Sequence, residues 1–391
     1  MNLAANVLLV DDVNRLWTVE PPKLFRAELD RALLWAFDRG ASDIVLMTDE
    51  PVMIRLDGEW QRVASRRLSG PEILELLSDV YAPNAAALLS GGEPLDFSHR
   101  VIRSREAEVR FRVNATAGQT AFSGMAGVGV VFRSIPSVPP TVKELNLETA
   151  IIQAHEDVSR SQGLFLVIGA TGTGKTTLIA SLMRHSIETP PGRMLLTYEA
   201  PIEFNLSAVP HKCGVVIQTE VPRHQATFRQ GVSNALRRAP DIILIGEARD
   251  PETIDGVVVA AQTGHAVYTT LHANSVAAAL PRLVGEFPPA QQRSILARVL
   301  DVLRFAVTQR LVPKVGGGRI ALREFLVFDA DIRRQLANAD PDRLQPIVHE
   351  LVRRRGQSLL ADATNKFKQE LISEDTLALI GAEWNLVEAS A

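Results

Sequence analysis

One octapeptide constrains this chain more than any other stretch: Gly169-Ala170-Thr171-Gly172-Thr173-Gly174-Lys175-Thr176. It satisfies the G-x-x-x-x-G-K-[ST] pattern at every fixed position. An apolar run, Leu164-Phe165-Leu166-Val167-Ile168, precedes it and reads as a strand, and Thr177 to Glu188 follows with helical spacing. A strand, a glycine-rich turn and a helix together wrap backbone N–H groups around a polyphosphate, with the positive end of the helix behind them. Lys175 is then expected at the β/γ-phosphates and Thr176 on Mg²⁺. The expected nucleotide-binding set is Gly169, Ala170, Thr171, Gly172, Thr173, Gly174, Lys175, Thr176 and Thr177, with ATP and Mg²⁺ as the ligands.

The segments around this loop predict an α/β domain. Met194 to Tyr198, Ile242 to Ile245 and Ala266 to Thr270 are short strand-like runs separated by helical stretches such as Pro251 to Thr263. That alternation is the mark of a parallel sheet with crossover helices, and ligands sit at the carboxyl ends of such strands. Gln291 to Leu311 reads as one long amphipathic helix, Gly316-Gly317-Gly318 as a turn and Arg319 to Phe328 as a returning strand. Asp331 to Trp384 reads as helices packed in a small bundle.

Upstream, the pattern is mixed. Leu24 to Arg39 carries helical spacing at Leu29, Leu33, Leu34 and Phe37. Asp43 to Leu46 and Pro51 to Leu56 read as strands with a turn at Asp57-Gly58, Pro71 to Tyr81 as a helix, and Val109 to Asn114 and Val128 to Arg133 as strands. The stiff stretch Ile135-Pro136-Ser137-Val138-Pro139-Pro140 is the expected linker and hinge. The expected organisation is an N-terminal α+β domain over 1–135, a linker over 136–145, an ATPase core over 146–330 and a C-terminal helical subdomain over 331–391.

Composition narrows the function. A net charge of −3 gives no global reason for nucleic-acid binding. No apolar run reaches the roughly 18 residues that span a bilayer. Leu8-Leu9-Val10 is followed by Asp11-Asp12 and preceded by no basic segment, which is not the pattern of a secretory signal. The single cysteine, Cys213, forbids an intrachain disulfide and a four-cysteine zinc site. It lies near His211, and a packed thiol is the simpler reading of it than a metal pair. Arg353-Arg354-Arg355 reads as the solvated face of a helix. A cytosolic protein follows, attached to a membrane machine only through partners.

Three further segments carry acids and histidines. Asp241-Ile242-Ile243-Leu244-Ile245-Gly246-Glu247 is an apolar strand ending in an acid, as a P-loop enzyme needs for Mg²⁺ or for the attacking water. Thr197-Tyr198-Glu199-Ala200-Pro201-Ile202-Glu203-Phe204 sets two acids four residues apart around a proline turn. Thr263 to His272 brackets one strand with His265 and His272, which would orient water or sense the γ-phosphate.

The set GATGTGKTT, TYEAPIEF, LIGEARD and TGHAVYTTLHANS resembles the PilT-like type II/type IV secretion and traffic ATPases, with their Walker A, Asp box, Walker B and His box in this order. ASDIVLMTDEPVMIRLDGEW and RFRVNATA resemble that family's N-terminal PAS-like domain, and RIALREFLVFD extends the likeness toward the C-terminus. The Asp box departs from the commoner form in having Ala200 where Asp is usual. TYEAPIEF, EVPRH and NALRRAPD resemble the DotB/TraJ branch, which serves type IVB secretion and conjugation.

The resemblance implies a RecA-like core and a homo-hexamer with C6 or C2 symmetry, acting with cytoplasmic components of a secretion or conjugation complex at the inner membrane. It implies that Glu203 polarises the attacking water, that Glu247 acts through Mg²⁺, and that His265 and His272 couple the γ-phosphate to movement. Arg237 resembles a phosphate-charge sensor, and Arg110, Arg112 and Arg133 resemble the N-domain arginines that approach a neighbouring subunit's nucleotide. The alternatives are a pilus-retraction motor, a ring-shaped nucleic-acid motor and a nucleotide-binding regulator that does not hydrolyse. The Asp and His boxes and the absence of a basic domain speak against the nucleic-acid motor, and the presence of both Glu203 and Glu247 speaks against the regulator.

Overall fold

The computed structural model describes residues 16–104, 108–119, 126–135, 138–340 and 343–390. Residues 8–12 and the Pro136-Ser137 portion of the expected linker lie outside them. The chain divides into two compact units: residues 1–138 with Ala200–Asn205, and residues 139–199 with Leu206–Ala391.

In the first unit, α1 (Arg26–Asp38) buries Leu29, Ala32, Leu33 and Ala36, a stripe at helical spacing. Strands β1 (Asp43–Met47), β2 (Pro51–Leu56) and β3 (Glu59–Arg67) follow. The β2–β3 hairpin turns on Asp57 and Gly58, both at positive φ (51° and 90°), the two-residue geometry that matches strand twist. α2 (Gly70–Val80) starts at a reciprocal cap between Ser69 and Glu72. α3 (Ala85–Ser90), β4 (Leu95–Ile102), β5 (Glu108–Gln119) and β6 (Ala126–Ile135) complete the unit. The six strands pair antiparallel in the order β3-β2-β1-β6-β5-β4. Alternate residues of β4, such as Leu95, Phe97, His99 and Val101, face the helices, as expected of a sheet with one packed face.

The second unit runs α4 (Thr149–Arg160), β7 (Gly163–Ile168), α5 (Lys175–Glu188), β8 (Met194–Glu199), β9 (Val215–Glu220), α6 (Phe228–Ala235), β10 (Ile242–Ile245), α7 (Pro251–Gln262), β11 (Ala266–Leu271), α8 (Val276–Val284), α9 (Pro289–Val302), β12 (Leu303–Pro313), β13 (Arg319–Val327), α10 (Ala330–Ala337), α11 (Leu344–Arg355), α12 (Leu359–Lys368) and α13 (Glu374–Ser390). Its sheet has the order β13-β12-β7-β11-β10-β8-β9, parallel throughout except for the β12–β13 pair. Every residue of β7, β10 and β11 is buried, which is why these strands read as unbroken apolar runs.

Two expectations are corrected. The helix expected to run to Leu311 ends at Val302, and Leu303–Pro313 is a strand. Leu296, Leu300, Leu303, Val307 and Leu311 happen to continue a helical spacing. Leu303–Pro313, however, pairs with β7 on one side and β13 on the other, and a strand buried among neighbours needs no alternation. The C-terminal helices do not form a bundle of their own. Ile332, Leu336, Leu344, Val348, Leu351 and Val352 join the main core of the second unit. Ala363, Ile372 and Ile380 build a small cluster with Val312 and Leu322, against which Leu359, Leu360 and Leu377 pack. At the unit's start, the Pro139 and Pro140 carbonyls accept hydrogen bonds from Arg184 (2.7 Å) and Ser181 (2.6 Å) of α5.

Candidate active site

The loop between β7 and α5 takes a form that its glycines permit. Gly169 has φ +153°, and a Cβ there would lie 2.5 Å from Thr173 Oγ1 and 3.0 Å from the Gln309 carbonyl. Gly174 caps α5 at φ +84°, in the left-handed region, and a Cβ there would meet Gln309 Nε2 at 2.7 Å. With no capping side chain, the first amides of α5 are left to face an anion. Thr173 Oγ1 donates to the Ala170 carbonyl (2.9 Å). Lys175, buried, turns its ammonium onto the Gly169 and Ala170 carbonyls at 2.7 and 2.8 Å. The cradle is thus closed against side chains and lined by backbone donors and one cation, which suits phosphate.

Neighbouring strand ends supply the rest. The Gly169 N–H donates to the Leu271 carbonyl (3.2 Å), so the loop starts beside the end of β11, where His272 follows. Glu247 leaves β10 after Gly246, whose carbonyl accepts from Thr270 Oγ1 at 2.6 Å. His272 Nε2 lies 3.5 Å from Glu247 Oε1. Lys175, Glu247 and His272 therefore share the carboxyl edge of the sheet. Glu199 ends β8 at the same edge and accepts from Thr197 Oγ1 (2.5 Å) and Gln218 Nε2 (3.0 Å). Thr176 and Glu247 offer a hydroxyl and a carboxylate, hard oxygen donors of the kind Mg²⁺ takes. Among the described residues no cluster of three or more His, Cys, Asp or Glu side chains is arranged for a metal. A Mg²⁺ here would draw its remaining ligands from phosphate and water.

His265 and Arg237 lie elsewhere. The His265 carbonyl accepts from the Gly163 N–H at 3.1 Å, at the start of β7 rather than its end. Its Nδ1 donates to the Ala260 carbonyl (3.1 Å), closing α7. β11 is six residues long, so about 20 Å of strand separates the two histidines. Arg237 stands on the turn before β10, at the same amino edge, and donates to the Ser233 carbonyl at 2.8 Å. Neither reaches its own chain's phosphate loop.

The remaining candidates belong to the first unit. Arg112 forms a two-pronged pair with Asp96 (3.2 and 2.7 Å) and reaches Glu203 at 3.4 Å. Arg110, buried, donates to Ser98 Oγ (3.1 Å) and the Ile202 carbonyl (3.2 Å). Arg133, opposite Arg112 in the β5–β6 register, donates to the buried Asp43 at 2.7 Å. Glu203 is thus grouped with arginines, while Glu199 of the same box stays with the parallel sheet.

A cavity of about 580 Å³ adjoins the loop, walled by Gly169, Ala170 and Thr173 on one side and by Ile380, Glu383 and Trp384 of α13 on another. Glu324 of β13 lines it and accepts from the Val276 N–H (2.8 Å). Burial pushes the Glu324 carboxyl up to about 7, against the pull of the Val276 and Leu359 amides. Arg310 pairs with Glu383 at the rim. Gln309 lies where a helix was expected, and Arg323 and Glu324 lie in RIALREFLVFD, which carried the family likeness but gave these two side chains no role.

A family model described as type II/IV secretion system protein matches residues 24–373. The chain belongs to that family. It is 36% identical to the type IV pilus retraction ATPase PilT of Pseudomonas aeruginosa over 306 residues, 78% of this chain and 84% of that protein. Among solved structures it is similar to the Legionella pneumophila ATPase DotB, with 40% identity and a TM-score of 0.87 over 93% of this chain and 98% of that one. The pilus retraction motor PilT with bound ADP matches at 31% identity and a TM-score of 0.75, over 92% and 97%. The second unit is accordingly a RecA-like P-loop domain with a C-terminal helical region, joined to an N-terminal α+β, PAS-like domain. This secretion-family chain has, among its described residues, no helix long and apolar enough to cross a membrane.

Proposed function

We propose that this protein is an ATP-hydrolysing motor of a type IVB secretion or conjugation apparatus, working as a homo-hexamer at the cytoplasmic face of the inner membrane. The observation that carries the hydrolysis reading is the shared sheet edge: the Lys175 loop, Glu247 and His272 converge where an open α/β sheet binds its ligand. Phosphoryl transfer to water asks mainly for positioning and for positive charge around the γ-phosphate. Lys175 and the α5 amides hold the phosphates, Thr176 and Glu247 hold Mg²⁺, and His272 reports on the γ-phosphate through Glu247. When bound, Mg²⁺ would offset charge on the phosphate oxygens. Glu203 polarises the attacking water in this reading, with Arg110, Arg112 and Arg133 serving a nucleotide held by a neighbouring subunit. His265 and Arg237 act across such an interface rather than within one chain. Nucleotide state then turns the N-terminal domain about the proline-rich stretch.

The likeness to DotB, at higher identity and TM-score than that to PilT, supports the type IVB assignment. Pilus retraction is the second reading, supported by the identity to PilT of Pseudomonas aeruginosa. Phosphate release with Mg²⁺-ATP, compared between wild type, Glu203→Gln and Glu247→Gln, tests the chemistry, and wild-type rates in both variants would discard these two roles. Light scattering with Mg²⁺-ATP tests the ring, which a fully active monomer would exclude. Deleting the gene separates the systems: loss of twitching favours retraction, and loss of effector or plasmid transfer favours secretion or conjugation.

A further inference from the structure

Behind the phosphate loop lies a buried polar chain. Gln309, 5% exposed in β12, donates from Nε2 to the Thr173 carbonyl at 2.8 Å, and its backbone carbonyl faces Gly169. Its Oε1 accepts from Arg323 Nε at 2.8 Å. Arg323, 2% exposed in β13, spends its other nitrogens on the Leu145 carbonyl (3.2 Å), the Asn146 carbonyl (3.4 Å) and the Glu148 carboxylate (3.1 Å). The set is completed by Lys366, which pairs with Asp362 at 2.5 Å and Glu148 at 3.5 Å, and by Asp362, which accepts from the Arg323 N–H at 2.7 Å. Two cations and two acids balance in charge. Buried charges of this kind are tolerated only when their bonds are made, so the set favours one arrangement.

The two ends of this chain differ in kind. One end touches the loop that carries Lys175. The other grips Leu145 to Glu148, the turn that opens the second unit just after the proline-rich stretch. Gln309 bonds to both Arg323 and the loop, and its amide has the donor and the acceptor that this task needs.

We propose that Gln309 is a positioning residue for the phosphate loop and that Arg323 transmits the loop's conformation to the Leu145–Glu148 turn. The proposal rests on the reading of Gly169–Thr176 as a nucleotide site. Filling the loop with phosphate shifts the Thr173 carbonyl, Gln309 follows it, and Arg323 carries the shift to the turn.

The test uses the full chain, a fluorescent ADP analogue and two variants. Gln309→Glu keeps an acceptor for Arg323 but sets an oxygen against the Thr173 carbonyl. Gln309→Leu keeps the volume and loses both bonds. Removing a donor from a buried carbonyl is expected to weaken ADP binding about tenfold in both variants. The nucleotide-free melting temperature is expected to fall in both variants, since each leaves the Thr173 carbonyl without its donor, so affinities are compared well below both transitions. Hydrogen exchange over 141–148 is expected to respond to ADP in wild type and not in Gln309→Glu. Wild-type affinity in Gln309→Glu, or weakening in Gln309→Leu alone, overturns the positioning role. An unchanged exchange response in Gln309→Glu overturns the transmission. Failure of the wild-type chain to bind the analogue overturns the nucleotide reading, and the proposal with it.

Discussion

The two edges of the parallel sheet carry the same kinds of residue and do different work. At the carboxyl edge, His272 stands beside Glu247 and the phosphate loop, with 44% of its side chain exposed. At the amino edge, His265 is spent on closing α7, and Arg237 on the end of α6. In a parallel sheet every strand points the same way, so loops after the strands gather on one side and loops before them on the other. A motif that spans a whole strand, as Thr263 to His272 does, therefore delivers residues to both edges. Only the downstream half can serve the chain's own nucleotide.

That contrast yields graded expectations. Lys175→Ala should weaken ATP binding by about a hundredfold or more, since its buried ammonium would make charge-assisted bonds to a phosphate held in the loop. Equilibrium binding of a fluorescent ATP analogue checks it, and near-normal affinity would break the assignment of the carboxyl edge. Glu247→Gln should keep binding and lose roughly a hundredfold in steady-state phosphate release. His272→Ala, at the same edge, should retain binding and lower turnover about tenfold through the freed Glu247.

Glu324 adds a pH dependence to this edge. Its carboxyl rises from 4.5 to about 7 through burial, so the folded chain holds the proton more tightly than the unfolded chain. The stability this gives is complete below about 4.5, declines as pH rises to about 7 and is lost above. Thermal melting from pH 5 to 8 should show Glu324→Gln gaining on wild type as pH rises, by roughly 1–3 kcal/mol at pH 8. A constant difference across that range would remove the carboxyl as the cause. The smallest effect belongs to the amino edge. His265→Ala in isolated chains should change ATP affinity less than about twofold and cost about 1 kcal/mol of stability from the lost bond to Ala260. A large loss of affinity in a monomeric preparation would erase the distinction between the edges.

Much of this was legible before the fold was known. The phosphate loop, the β10 acid and the strands β7, β8, β10 and β11 are apolar runs punctuated by glycine and charge, and local patterns of that kind survive folding. The β2–β3 turn is written in Asp57-Gly58, whose residues accept positive φ. What misled was information that is not local. Leu303 to Leu311 has a helical rhythm, and only its pairing with β7 and β13 makes it a strand. The edge on which His265 and Arg237 fall depends on strand direction, which no single segment states. Gln309 and Arg323 acquire meaning only because β12 and β13 carry them behind the loop and onto a turn more than 150 residues upstream in sequence.

The cavity beside the loop has a practical consequence for handling the protein. One of its walls is α13, through Ile380, Glu383 and Trp384. Removing α13 from Glu374 onward would strip that wall away while leaving Gly169 to Thr176 in the chain. A chain shortened in this way would report on the Gly169–Thr176 loop with a different backing, so nucleotide affinities are comparable only between chains that keep α13.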